Sequence, residues 1–198
     1  MKASRERTIL DESVFIQRAA KGQADAWEPL MLAHQEPVFR LAYLFLGDAD
    51  DAEDITQETF IRAYRSLKHF DMTRPLRPWL LSIAANLARN RHRSIARYLS
   101  ALARSLRAES FTAPDAEQKA AQNQDADQLW KAVRQLNADD QQIIYLRFFL
   151  DLSTAEAAQA LDVAEGTIKS RLNRAVARLR IVIKNDFPAL SAGEGYEL

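Results

Sequence analysis

Apolar residues return at three- and four-residue intervals along most of the chain, over 14–20, 27–46, 52–67, 79–87, 129–136, 143–150, 155–161 and 168–183. That period predicts about eight amphipathic helices. The two-residue alternation of strands is almost absent, so the expected fold class is all-α. The five glycines and six prolines fall mostly where the helical pattern stops. Gly22 and the Gly47-Asp48 pair read as helix-ending turns. Pro37 is expected to start or kink a helix, and Pro78, just before Trp79, to occupy a first helical position. Between residues 104 and 127 the periodicity fails, and Ser, Ala, Glu, Gln and Asp gather around Pro114. This divides the chain into two small helical domains, 11–103 and 128–184, joined by a flexible linker over 104–127. The segment 185–198 has the composition of a disordered tail.

Composition narrows the chemistry. With 47% hydrophobic and 27% charged residues in 198, the chain has the balance of a soluble globular protein and is too apolar for a disordered one. It has no cysteine and three scattered histidines, which leaves no disulfide framework, no thiolate metal site and no expected cofactor. No apolar run approaches the roughly 18 residues of a membrane span. The first dozen residues carry Arg5, Glu6, Arg7, Asp11 and Glu12 where a signal peptide would need an apolar core, so a cytoplasmic protein without direct membrane insertion is expected.

The net charge of zero conceals segregation. Asp48, Asp50, Asp51, Glu53, Asp54 and Glu58 form an acidic block without an intervening base. From Arg62 to Arg107 there are eleven Lys or Arg against the single acid Asp71, and from Glu165 to Lys184 six bases against one acid. Between these basic stretches, Glu109 to Gln142 holds seven acids and three bases. Two separated basic segments suggest two nucleic-acid contacts. Charge alone fits solvated helix faces equally well.

The most specific motif runs from Leu152 to Arg180 and reads as helix, tight turn, helix. Ser153 and Glu156 form a capping box. Ala157, Ala158 and Leu161 present a face that lets a second helix approach closely, and Asp162 falls at the turn, where Asp tolerates left-handed backbone. In the second helix Ile168, Leu172, Ala175 and Leu179 keep a 4-3-4 spacing toward the core. Lys169, Ser170, Asn173 and Arg174 then point away, with Arg171 and Arg178 at the flanks. Arg and Lys read guanine, and Asn reads adenine, in the major groove that such a helix enters.

With Leu136-Asn137, Leu146-Arg147, Leu152-Ser153, Glu156-Ala157-Ala158 and the run Gly166 to Leu172, this half resembles the fourth conserved region of extracytoplasmic-function sigma factors, of the sigma-70 superfamily. That region binds the minus-thirty-five promoter element. The resemblance implies base and phosphate contacts at Thr167, Lys169, Ser170, Arg171, Asn173 and Arg174. Asn137 replaces a common family proline and is itself able to cap the following helix. Ala164 replaces a usual serine, removing a helix cap.

In the first half, the run Asp51 to Phe60 resembles the second conserved region of the same family, where a helix docks on the clamp helices of the polymerase's largest subunit. Ala52, Ile55, Thr59, Phe60, Ala63 and Leu67 trace its buried stripe, leaving Asp54, Gln57 and Glu58 as the implied polymerase contacts. The loop from Phe70 and Asp71 through Arg74 to Arg77 and the helix that follows correspond to the part of the family that opens the minus-ten element, traps an extruded base and holds the single strand. The implied site comprises Phe70, Asp71, Arg74, Asn86, Asn90, Arg93 and Arg97. Asn86 and Asn90 lie one turn apart on a face shared with Arg93 and Arg97. Trp79 is able to serve as a stacking platform for a base, but beside Leu80 and Ile83 it reads rather as core, and Phe70 also as an anchor for the loop.

The resemblance spans about residues 14–97 and 129–184, and implies a non-enzymatic sigma factor. Its partners would be core RNA polymerase, double- and single-stranded promoter DNA, and an anti-sigma factor that sequesters it. Two alternatives stay open. One is a stand-alone regulator whose first helices dimerise or sense a partner; the other is an interaction module that binds protein through its charged helices.

Overall fold

A helix that is apolar along one face must bury that face against another element. The chain does so in two compact units. The computed structural model describes residues 12–105 and 124–191, and among them every regular element is helical.

The first unit begins with α1 (12–20), which ends at Gly22 with φ +86°. After a 3-10 turn at Ala24–Ala26 come α2 (Trp27–Leu46), α3 (Ala49–Ser66), a second 3-10 turn at Leu67–His69 and α4 (Leu76–Ser105), which belongs to this unit as far as Ile95. Both expected glycine turns are present. Gly47, at φ 72°, donates its amide to the Tyr43 carbonyl at 2.8 Å, and Asp48 at once caps α3 by accepting the Asp51 amide at 2.9 Å. A link this short packs α3 against α2.

The predicted stripe of α3 is buried throughout, from Ala52 to Leu67. Within it Thr59 is fully enclosed and satisfies its hydroxyl by donating to the Ile55 carbonyl at 2.7 Å. Trp27, Leu30, Val38, Leu41 and Phe45 of α2, and Leu76, Leu80, Leu81, Ala84, Ala85 and Ala88 of α4, complete the core. A contact between His34 Nε2 and a Glu12 carboxylate oxygen ties α1 to α2.

Neither Pro37 nor Pro78 opens a helix. Pro37 lies inside α2, which stays helical through it. Pro78 is the third residue of α4, because the fully buried Leu76 draws the helix start two residues earlier. A first-turn proline costs little there, since the amide it lacks would have no partner within the helix.

The second unit holds α5 (Gln124–Arg134), α6 (Ala138–Ile144) continued by a π-helical turn at Tyr145–Phe149, α7 (Thr154–Leu161), α8 (Glu165–Asp186) and α9 (Pro188–Ser191). Asn137 caps α6, its side-chain oxygen accepting the Asp140 amide at 2.9 Å, which makes good the missing proline. The Asp140 carboxylate, almost fully buried, takes the Asn137 side-chain amide at 2.8 Å and Arg178 of α8 at 2.5 Å. A buried carboxylate needs such partners. Tyr145 is fully enclosed, its ring 5.7 Å from Trp130 and 5.8 Å from Phe149, and burial pushes its hydroxyl pKa up.

Helix extends further than the sequence predicts at three places. α4 runs to Ser105 and α5 starts at Gln124, so what remains of the linker expected over 104–127 lies outside the described residues. The tail expected from residue 185 is helical as far as Ser191, because α9 packs on α5 and α8 and half-buries Phe187 and Leu190. Residues 192–198 lie outside the described ones. Among the described residues no helix is long and apolar enough to cross a membrane.

Candidate nucleic-acid and partner-binding surfaces

Burying every third or fourth residue of α3 forces its remaining side chains outward. Asp54 and Gln57 are exposed, and Glu58 is half-exposed, held by Arg62 Nε at 2.6 Å. Gln57 stands where three shallow grooves meet. The first, about 430 Å³, has an apolar floor of Trp27, Met31, Phe60, Ile61 and Tyr64. The second brings in Glu36, Phe39 and Glu53, and the third Asp54, Glu58 and Arg91. Ile61 and Tyr64, in the second half of α3, remain 45% and 38% exposed, large for such side chains. Such a surface suits an apolar ridge flanked by cations. Sequence reasoning found the acids and missed the apolar floor. Its signal was present in Ile61 and Tyr64, which stand outside the buried stripe of α3.

The loop before α4 is organised by Asp71. Its Oδ1 accepts the Thr73 hydroxyl at 2.7 Å and the Thr73 amide at 3.0 Å, and its other oxygen lies 3.6 Å from Arg74 Nε. The bond from the Thr73 hydroxyl, then that from its amide, holds the Asp71 carboxyl below the usual carboxylate range, with Arg74 adding to the effect. Asp71 and Arg74 are both exposed. Phe70 is the one buried member of the expected minus-ten set. It is only 8% exposed and its ring lies 4.7 Å from that of Trp79, so it anchors the loop from below. Trp79 is half-buried in that contact.

Along α4, Asn86, Asn90, Arg93 and Arg97 follow one another at 4-3-4 spacing and are all exposed, while Ala84, Ala85 and Ala88 pack inward. One outward face therefore carries two amides and two guanidinium groups. Arg91 does not share it. Its Nε and Nη2 lie 3.0 and 2.5 Å from Asp51 Oδ1 on α3.

In the second unit the capping box is formed in both directions. The Ser153 amide donates to Glu156 Oε2 at 2.8 Å and the Glu156 amide to Ser153 Oγ at 3.1 Å. Ala157, Ala158 and Ala160 are buried, Leu161 half-buried, and Asp162 takes φ 51° at the turn. Asp151 is left-handed as well, at φ 59°, a turn the sequence reading did not anticipate.

On α8, Ile168, Ala175 and Leu179 are buried and Leu172 half-buried. Lys169, Ser170, Asn173 and Arg174 are exposed, with Thr167 and Arg171 half-exposed at the edges. All six lie within two turns at the start of α8, a span of about 12 Å that fits the width of a major groove. Ser170 donates to the Thr167 carbonyl at 3.0 Å and Arg174 Nε to the Ser170 carbonyl at 3.2 Å, orienting both along the helix.

Ala164 has N-cap backbone angles, φ −66° and ψ 147°, without a side-chain cap. Ala164→Ser should therefore stabilise the second unit by about 0.5–2 kcal/mol, read as a higher urea midpoint with an unchanged slope. An unchanged midpoint would mean that the α8 amides are already satisfied by water.

Residues 30–98 match the family model for sigma-70 region 2, and residues 126–179 that for sigma-70 region 4. The chain is 33% identical over 169 residues to the ECF RNA polymerase sigma factor SigL of Mycobacterium tuberculosis, covering 84% of this chain and 93% of that one. It is 33% identical over 173 residues to the ECF RNA polymerase sigma factor BldN of Streptomyces coelicolor, covering 87% of this chain but 66% of that longer protein. Among solved structures, CnrH in complex with the cytosolic domain of CnrY matches with a TM-score of 0.65 at 25% identity, covering 89% of this chain and 99% of that one. The sigma factor RpoE in complex with the anti-sigma factor NepR, from Bartonella quintana, matches with a TM-score of 0.59 at 27% identity, covering 80% and 97% of the two chains.

Proposed function

Because the chain belongs to the extracytoplasmic-function class of the sigma-70 family, we propose that it directs core RNA polymerase to promoters through three separate surfaces. Asp54, Gln57 and Glu58, with the apolar groove beside them, dock on the clamp helices of the largest polymerase subunit. The six residues at the start of α8 read the minus-thirty-five element from the major groove. The exposed Asn86, Asn90, Arg93 and Arg97 face, with the loop held by Asp71 and Arg74, opens the minus-ten element and retains the displaced strand. Phe70 supports that loop from the core.

No covalent step falls to this chain. It acts in the cytoplasm without a cofactor, and melting draws on binding free energy, with each base captured by stacking worth about 1–3 kcal/mol. The observation that carries this reading is the acidic and apolar surface centred on Gln57, on the same chain as two basic helices. A stand-alone regulator would need the α8 contacts and would use the first helices to dimerise or sense a partner, so binding of core polymerase through Asp54, Gln57 and Glu58 tells the two apart. The sigma factor RpoE, of similar structure, forms a complex with the anti-sigma factor NepR, and an anti-sigma factor is proposed to sequester this chain too.

Run-off transcription from fragmented bacterial DNA, with sigma-free core polymerase plus this protein, tests the proposal. Transcript starts preceded by one shared bipartite motif are expected. Core polymerase that neither binds the protein nor gains specific starts would leave the stand-alone regulator as the better account.

A further inference from the structure

By charge, Arg91 belongs to the basic stretch from Arg62 to Arg107 and would be counted among the groups that hold DNA. By position it does not. One residue on from Asn90, and two before Arg93, it is turned about 100–160° around the helix axis from the face those residues share. Its guanidinium instead meets the first turn of α3. Nε and Nη2 converge on a single Asp51 oxygen at 3.0 and 2.5 Å, and the Asp51 side chain is only 21% exposed. Arg91 also borders the groove that holds Asp54, Gln57 and Glu58. The contact joins residues 40 apart in sequence, so it connects two helices to which different tasks have been assigned.

We propose that Arg91 is a positioning residue, a cation on the DNA-melting helix α4 that is withdrawn from DNA and clamps α4, through Asp51, to the polymerase-docking helix α3. The inference rests on the sigma-factor reading above. Seating α3 on polymerase then fixes the azimuth of α4, and with it where Asn86 and Asn90 stand relative to the duplex. Without the clamp, α3 still docks, but the base-capturing face is held less firmly at the moment of opening. An ion pair half-open to solvent has a modest effect, so the expected change is about two- to fivefold.

The test uses the full chain with core polymerase on a promoter found by start mapping, as intact duplex and with its minus-ten region already unpaired. Asp51→Asn, Arg91→Gln and the double variant should each slow open-complex formation on the duplex by about two- to fivefold. The double variant should be no worse than either single one. Because Arg91 borders the docking groove, both templates are compared at saturating sigma over core, where activity on the pre-opened template should match the unaltered chain. A thermal melt of each variant separates this from loss of fold, since a misfolded chain fails on both templates.

If Arg91→Gln slows opening while Asp51→Asn leaves it unchanged or speeds it, Arg91 acts on DNA directly and the clamp is wrong. Equal losses on both templates, or no loss on either, overturn it as well. An unaltered chain that yields no specific starts refutes the sigma-factor reading and is thereby told apart from failure of the clamp alone.

Discussion

With Lys169, Arg171 and Arg174 all replaced by alanine, promoter-specific run-off transcription should fall by about 100-fold or more, while binding to core polymerase stays intact. The size follows from major-groove chemistry, in which each well-made side-chain pair to a base is worth about 1–3 kcal/mol. Three such groups, with one of them reaching only phosphate, still leave two base contacts worth about 2–6 kcal/mol together, a range centred above the roughly 2.7 kcal/mol that a hundredfold represents. None of the three is in the core, and the residues that hold α8 in place, Ile168, Ala175 and Leu179, are untouched. The circular dichroism spectrum and melting temperature should therefore be unchanged. Single variants make the prediction sharper. Loss of a phosphate contact should weaken all promoters alike and lower the salt dependence, whereas loss of a base contact should relax specificity at one position. If the triple variant initiates normally at its mapped starts, α8 is a solvated helix and the upstream element is read elsewhere.

Reversing two charges, Asp54→Lys with Glu58→Lys, should abolish assembly with core polymerase, weakening it by about 100-fold or more. A like-charge juxtaposition across an interface costs several kcal/mol, more than removal of either carboxylate alone. Glu58 is already shared with Arg62 at 2.6 Å, so the double change also sets a new ammonium group beside an existing cation one turn away. The milder Gln57→Ala tests the centre of the surface without altering charge. Gln57 borders all three grooves, so its loss should cost more than that of a peripheral contact, about tenfold or more. Direct measurement of core affinity by fluorescence polarisation decides both. Normal affinity for both variants would place polymerase docking away from α3 and revive the stand-alone regulator.

Several features followed from local rules acting on a few neighbouring residues. The capping box at Ser153 and Glu156, the cap at Asn137 and the left-handed turns at Gly22, Gly47 and Asp162 each depend on one or two side chains and the backbone beside them. The buried stripe of α3 followed from the same locality, since a 3.6-residue period already says which residues face one way. The exposed side of α8 was legible for that reason too, which is why all six expected contact residues fall on one helix start.

Other features needed partners distant in sequence. Phe70 read both as a DNA contact and as an anchor, and its packing against Trp79 is a contact that helical spacing alone does not reveal. Pro78 entered the first turn instead of opening it because Leu76 found a buried place. The apolar groove at Gln57 combines Trp27 and Met31 of α2 with Ile61 and Tyr64 of α3, residues that no single period connects. Arg91 shows the limit most clearly. Charge counted along the chain assigns it to DNA, while the three-dimensional arrangement pairs it with Asp51. The sequence by itself determined the helices, their caps and their inward and outward faces, because those depend on spacing and on neighbours a few residues away. Which face meets which, and so which cation is left to meet DNA, was decided only by tertiary structure, because Coulomb attraction and packing depend on distance in space, and spacing along a helix says nothing about the helix opposite.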